Sequence, residues 1–131
     1  MVRFALALLL LPVLAAPLHA EGADCADPIT QVDMNACAMA EFQAQDAVLN
    51  AVWSDAVGLM EGVDALLPEA ERGALAALRD AQRRWIAYRD AACAAEAWLV
   101  RGGSMEPLVL YSCLARLTAE RTAGLQALQT N

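Results

Sequence analysis

Seven polar residues fall on or beside otherwise apolar, helix-spaced stripes: Asp46, Asn50, Gln82, Arg89, Asp90, Thr118 and Arg121. Asp46 and Asp90 are the carboxylates that a general acid and base would require. The more economical reading is an interhelical network in which Asp46 or Asp90 neutralises an arginine. A buried Asn or Arg left without partners costs about 1 to 3 kcal/mol or more. A polar binding groove is the remaining alternative, and no catalytic residue is assigned.

Two absences narrow the chemistry. The chain has no lysine, and its only histidine, His19, lies in an N-terminal segment that reads as removable. Ser-His and Cys-His nucleophiles, lysine Schiff bases and histidine metal sites are thereby excluded. No metal and no cofactor are expected.

Cys25, Cys37, Cys93 and Cys113 form an even set in a short chain without Cys-x-x-Cys, which argues against zinc ribbons, thioredoxin-like redox sites and haem attachment. They read as a disulfide framework with three possible connectivities. The spacings favour local closure, Cys25 with Cys37 and Cys93 with Cys113, each worth roughly 3 kcal/mol through restriction of the unfolded chain.

The start of the chain explains why disulfides are expected. Arg3 precedes an uncharged apolar run from Phe4 to Leu18 that closes on His19-Ala20 before Glu21. This is the pattern of a signal peptide over residues 1–20, cleaved after Ala20. The run is short for a membrane span of about 20 residues. Asp24 before Cys25 does not suit a lipoprotein cleavage site, so no lipid anchor is expected, and the mature chain should be periplasmic or secreted. Residues 21–131 are read as a single domain. They carry eight arginines and sixteen acidic residues, a net charge of −8. That charge disfavours nucleic acid and anionic lipid and permits a basic protein partner.

Residues at these positions need elements to hold them. Met34, Ala38, Phe42, Leu49, Val52, Trp53, Ala56 and Met60 recur at steps near three and four, which predicts a helix from Gln31 to about residue 60. Thr30 and Asp33 resemble a capping box, and Gly58, Gly62 and Pro68 are read as the exit. A second helix is expected from Pro68 to about Val100, with a bend or break near Gly73. Its stripe is Leu75, Leu78, Gln82, Trp85, Arg89, Cys93 and Ala97. A third, opened by Ser104 or Glu106 with Pro107, carries Leu110, Cys113, Leu114, Leu117, Arg121, Leu125 and Leu128. The fold class is all-α: a small antiparallel bundle of about three long helices, stapled by two disulfides. Trp53, Trp85 and Tyr88 are expected to pack between helices, and only Trp98, near the Gly102 turn, to be exposed.

Gln82-x-x-Trp85-x-x-Tyr88-Arg89-Asp90-x-x-Cys93, then Gly102-Gly103-Ser104 and Cys113-x-x-x-Leu117-Thr118-x-x-Arg121-Thr122, resemble the LprI-like lysozyme-inhibitor N-terminal domain family. Met34-x-x-Cys37 and Asp46-x-x-Leu49-Asn50-x-x-Trp53 extend the resemblance to nearly all of residues 25–121, although the family more usually has Tyr at the last of these positions. The resemblance implies an exported, helical, disulfide-containing bacterial domain, with lysozyme inhibition suggested for the namesake. An acidic protein would be drawn to a basic lysozyme with a carboxylate-lined cleft. The turn Arg101, Gly102, Gly103, Ser104 and Met105, with Glu106 beside it, is the candidate partner-binding element, Arg101 meeting cleft carboxylates. The competing reading is a structural or adaptor protein of the bacterial envelope without inhibitory activity.

Overall fold

The computed structural model describes residues 24–130, so the expected signal peptide lies outside them. Helix α1 spans Gln31–Ala65, α2 Ala74–Ala97 and α3 Glu106–Gln129, with 3-10 turns at Glu69–Glu71 and Trp98–Val100. At 1.5 Å per residue α1 is about 52 Å long and the others about 36 Å. Asn35 meets Ser104, and Phe42 stacks on Tyr111 at 6.2 Å, so α1 and α3 run in the same direction. The chain reverses between them, which sets α2 antiparallel to both. The most extensive interface is α1 with α3.

The ends follow from local chemistry. Thr30 caps α1 with a full capping box, its Oγ1 accepting from the Asp33 amide at 3.1 Å and Asp33 accepting from the Thr30 amide at 3.3 Å. The expected exit near residue 60 is corrected, because Gly58 and Gly62 lie inside a helix that continues to Ala65. A helical glycine costs only about 1 kcal/mol relative to alanine, and the added turn brings Asp64 to the start of α2. There it accepts hydrogen bonds from the amides of Gly73, Ala74 and Leu75 at 2.9, 2.8 and 3.1 Å. A carboxylate on one helix thus caps the next. The break expected near Gly73 is present, splitting the predicted helix into the Glu69–Glu71 turn and α2. Helix α3 opens at Glu106 with Pro107 in its first turn, the second of the two expected starts, and its N-cap, Met105, supplies no side-chain hydrogen bond.

The three amide donors, Gly73 foremost, hold the Asp64 carboxyl below its ordinary value near 3.8. A depressed folded pKa contributes stability above the unfolded value and loses it as pH falls through the folded value. Asp64→Ala is therefore expected to lower the melting temperature at pH 6. The gap from the parent protein should narrow as melts are taken below about pH 4. A gap independent of pH would show that the cap is not ionic.

The core has two parts. Leu49, Val52, Ala56, Leu78 and Leu125 form one cluster, with Trp53, Val57, Met60 and Trp85 against it. Cys93, Cys113 and Leu117 form the other, with Ala92, Leu110 and Leu114. The two disulfides pair Cys25 with Cys37 and Cys93 with Cys113, the local closure that the spacing favours. Tyr88 is corrected to an exposed residue (62%). It lies off the stripe that runs through Trp85, Arg89 and Cys93, so its ring faces away from α1 and α3. Leu128, near the end of α3, is likewise exposed.

Candidate functional site

Between the two core clusters the sequence places Arg89 on α2 and Thr118 on α3, and the structure brings them together. The Arg89 guanidinium, 11% exposed, lies 5.4 Å from the Phe42 ring centroid and 5.0 Å from that of Trp85. It reaches Asp90 at 2.9 Å and Asp46 at 3.8 Å, and donates to Thr118 Oγ1 at 3.4 Å. Asp46 also accepts from Asn50 Nδ2 at 3.1 Å. A second link joins Arg121 Nε to Gln82 Oε1 at 2.9 Å, and burial lowers the Arg121 pKa from its usual value. All seven polar residues singled out in the sequence therefore lie in two connected groups spanning the helices. Asp46 and Asp90 converge on one guanidinium, an ion cluster rather than an acid facing a base across a cleft. Phe42 is the partner that sequence reading missed as part of this layer. Its place one turn before Asp46 on the same stripe is the signal that pointed there.

The α2–α3 connection forms a second feature. Trp98, Leu99 and Met105 are exposed, Leu99 at 88%. They border a shallow hollow that Val100, Arg101, Gly103 and Ser104 also line. The Arg101 guanidinium sits 3.9 Å from the Trp98 ring centroid, which holds both outward as one unit. Gly102 has φ +75°, a left-handed conformation that suits glycine, and its amide donates to Glu106 Oε2 at 2.7 Å. A Cβ on Gly103 would stand 3.0 Å from the Val100 carbonyl oxygen. Asn35 Nδ2 donates to the Ser104 carbonyl at 3.0 Å, tying the turn to α1. Trp98 and Met105 were singled out in the sequence, but Leu99 went unnoticed because it follows the α2 stripe without a break in composition.

Among the described residues no group of three His, Cys, Asp or Glu is placed to hold a metal ion. No helix among them is long and apolar enough to cross a membrane.

Comparison with known proteins gives the context of these features. A curated relative, an uncharacterized protein of Rhizobium meliloti, is 43% identical over 127 residues, covering 93% of this chain and 91% of the relative. No solved structure matches the chain. The family model described as lysozyme inhibitor LprI matches residues 23–125, which takes in both disulfides, the Arg89 layer and the turn. With its helical fold and paired cysteines, the chain belongs to the LprI lysozyme-inhibitor family.

Proposed function

We propose that this protein is an exported, non-catalytic inhibitor of lysozyme or a related cell-wall hydrolase, and that the turn from Trp98 to Met105 is the element that engages the enzyme. Family membership supports the inhibitory role. The observation that carries the site is the knob itself: exposed Trp98 and Leu99, with Arg101 stacked on the Trp98 ring, on a turn fixed by Glu106 and Asn35. Aromatic and arginine side chains dominate binding energy at interfaces, and a turn already rigid loses little entropy on docking.

Charge is distributed to assist the encounter. Helix α1 carries six carboxylates and no basic residue, so the side of the molecule to which Asn35 ties the turn attracts a basic enzyme. That attraction speeds association, while Arg101 supplies the positive charge for a cleft lined by carboxylates. Two disulfides suit an oxidising compartment outside the cytoplasm, where such an enzyme would be met.

The site is tested with the triple variant Trp98→Ala, Leu99→Ala, Arg101→Ala. All three residues point outward, so the melting temperature should hold while the affinity for a basic animal-type lysozyme falls about 100-fold or more, the scale of two hot-spot residues. Raising salt should slow association more than it speeds dissociation. Unchanged affinity in a folded triple variant would move the contact surface elsewhere.

A further inference from the structure

We propose that the hollow between α1 and α2, lined by Asn50, Trp53, Arg79, Gln82, Arg83 and Ile86, binds an acidic, N-acetylated saccharide. This site is separate from the turn and does not depend on lysozyme inhibition.

The argument begins with two amide side chains whose orientations are fixed by charge. Asn50 faces the Asp46 carboxylate, which can only accept, so its Nδ2 is turned toward Asp46 and its Oδ1 away from it. Gln82 faces Arg121, which can only donate, so its Oε1 is turned toward Arg121 and its Nε2 away from it. Neither Asn50 Oδ1 nor Gln82 Nε2 has a hydrogen-bond partner among the described residues, and both residues line the same hollow. The result is one acceptor and one donor at the hollow, each amide oriented by its bond to Asp46 or Arg121. An acetamido group presents the matching pair, an N–H for Asn50 Oδ1 and a carbonyl for Gln82 Nε2. Trp53, half-buried, and Ile86, partly exposed, offer an apolar wall for the acetyl methyl and a sugar face.

The charge of the hollow supplies the second half of the specificity. Five of the eight arginines beyond Arg3 fall within residues 72–89, against one carboxylate, Asp80, in a chain that is otherwise acidic. Two of them line the hollow. Arg79 makes no ion pair or hydrogen bond among the described residues, and Arg83 has only an exposed contact with Asp80 at 3.3 Å. Guanidiniums in this setting select a ligand carrying a carboxylate. A single donor–acceptor pair in an open hollow of about 260 Å³ fits one isolated amide on a sugar ring. An extended acidic peptide would present a row of amides and use a groove with repeated partners. Bound to such a sugar, the protein would be held at the glycan that cell-wall hydrolases cut.

The test is titration of the isotope-labelled, oxidised full chain with three disaccharides, followed by NMR. They are the N-acetylglucosamine–N-acetylmuramic acid unit, neutral chitobiose and cellobiose, which has no acetamido group. Shifts are expected at residues 50, 53, 79, 82, 83 and 86, strongest for the muramic acid unit, weaker for chitobiose and absent for cellobiose. Gln82→Glu still accepts from Arg121 but offers no donor, and should weaken chitobiose binding about ten-fold, the scale of one lost hydrogen bond. Arg79→Ala with Arg83→Ala should erase the preference for the muramic acid unit over chitobiose. Should that variant not fold, high salt must erase the same preference in the parent protein. The proposal is overturned by an absence of shifts at millimolar disaccharide or by equal response to chitobiose and cellobiose. It is equally overturned if a blocked acidic tripeptide binds at these residues and the disaccharides do not.

Discussion

Replacing Cys93 and Cys113 together by alanine is expected to lower the unfolding free energy by about 4 to 5 kcal/mol, against about 3 kcal/mol for the Cys25 and Cys37 pair. Closing the longer loop accounts for roughly 3 kcal/mol of the larger figure through restriction of the unfolded chain. The remainder comes from burial. Cys93 and Cys113 sit at 0% and 3% exposure in a core cluster with Leu117, and their removal leaves a void there. Cys25 is exposed, so its loss removes little packing. The difference has a functional counterpart, because the Cys93–Cys113 bridge fastens α2 to α3 on the two sides of the 98–105 turn. Urea unfolding of the two double variants measures the order, and equal losses would show that the buried bridge adds nothing beyond its loop.

Arg89→Ala should cost about 2 to 3 kcal/mol and Arg89→Lys about 1 to 2 kcal/mol, again by urea unfolding. The ion pairs are a minor part of this. Asp46 and Asp90 are roughly half exposed and can be solvated when the arginine is gone, so their share is at most about 1 kcal/mol. The larger share is contact with Phe42 and Trp85, to which a planar guanidinium presents its face and an ammonium does not. A loss below about 1 kcal/mol in the alanine variant would mean that the rings close over the gap. Asp46→Asn, which keeps the shape and the bond to Asn50, should change stability much less.

Helical periodicity carried most of the fold. The stripes from Met34 to Met60, Leu75 to Ala97 and Leu110 to Leu125 face the interior because three- and four-residue spacing leaves few alternatives. Thr30 and Asp33 were legible for the same reason, since a cap is local. The end of α1 was not. Gly58 and Gly62 look like an exit from within the helix, and what extends it is Asp64 meeting amides nine to eleven residues later. Nor could spacing reveal that Asn35 holds Ser104 across 69 residues, because nothing local marks either partner. The polar residues on the stripes announced that α1, α2 and α3 must share a layer. Their partners decide which end of each amide is left free, and that emerges only when Asp46 meets Asn50 and Arg121 meets Gln82.

Lysis of bacterial walls by a basic animal-type lysozyme, with and without the purified, oxidised protein, tests inhibition most directly. The block should be stoichiometric and survive physiological salt, because the apolar and arginine contacts of the turn persist when long-range attraction is screened. Lysis that proceeds unchanged at a large molar excess of the protein, or a block that vanishes at physiological salt, would contradict inhibition of that enzyme class.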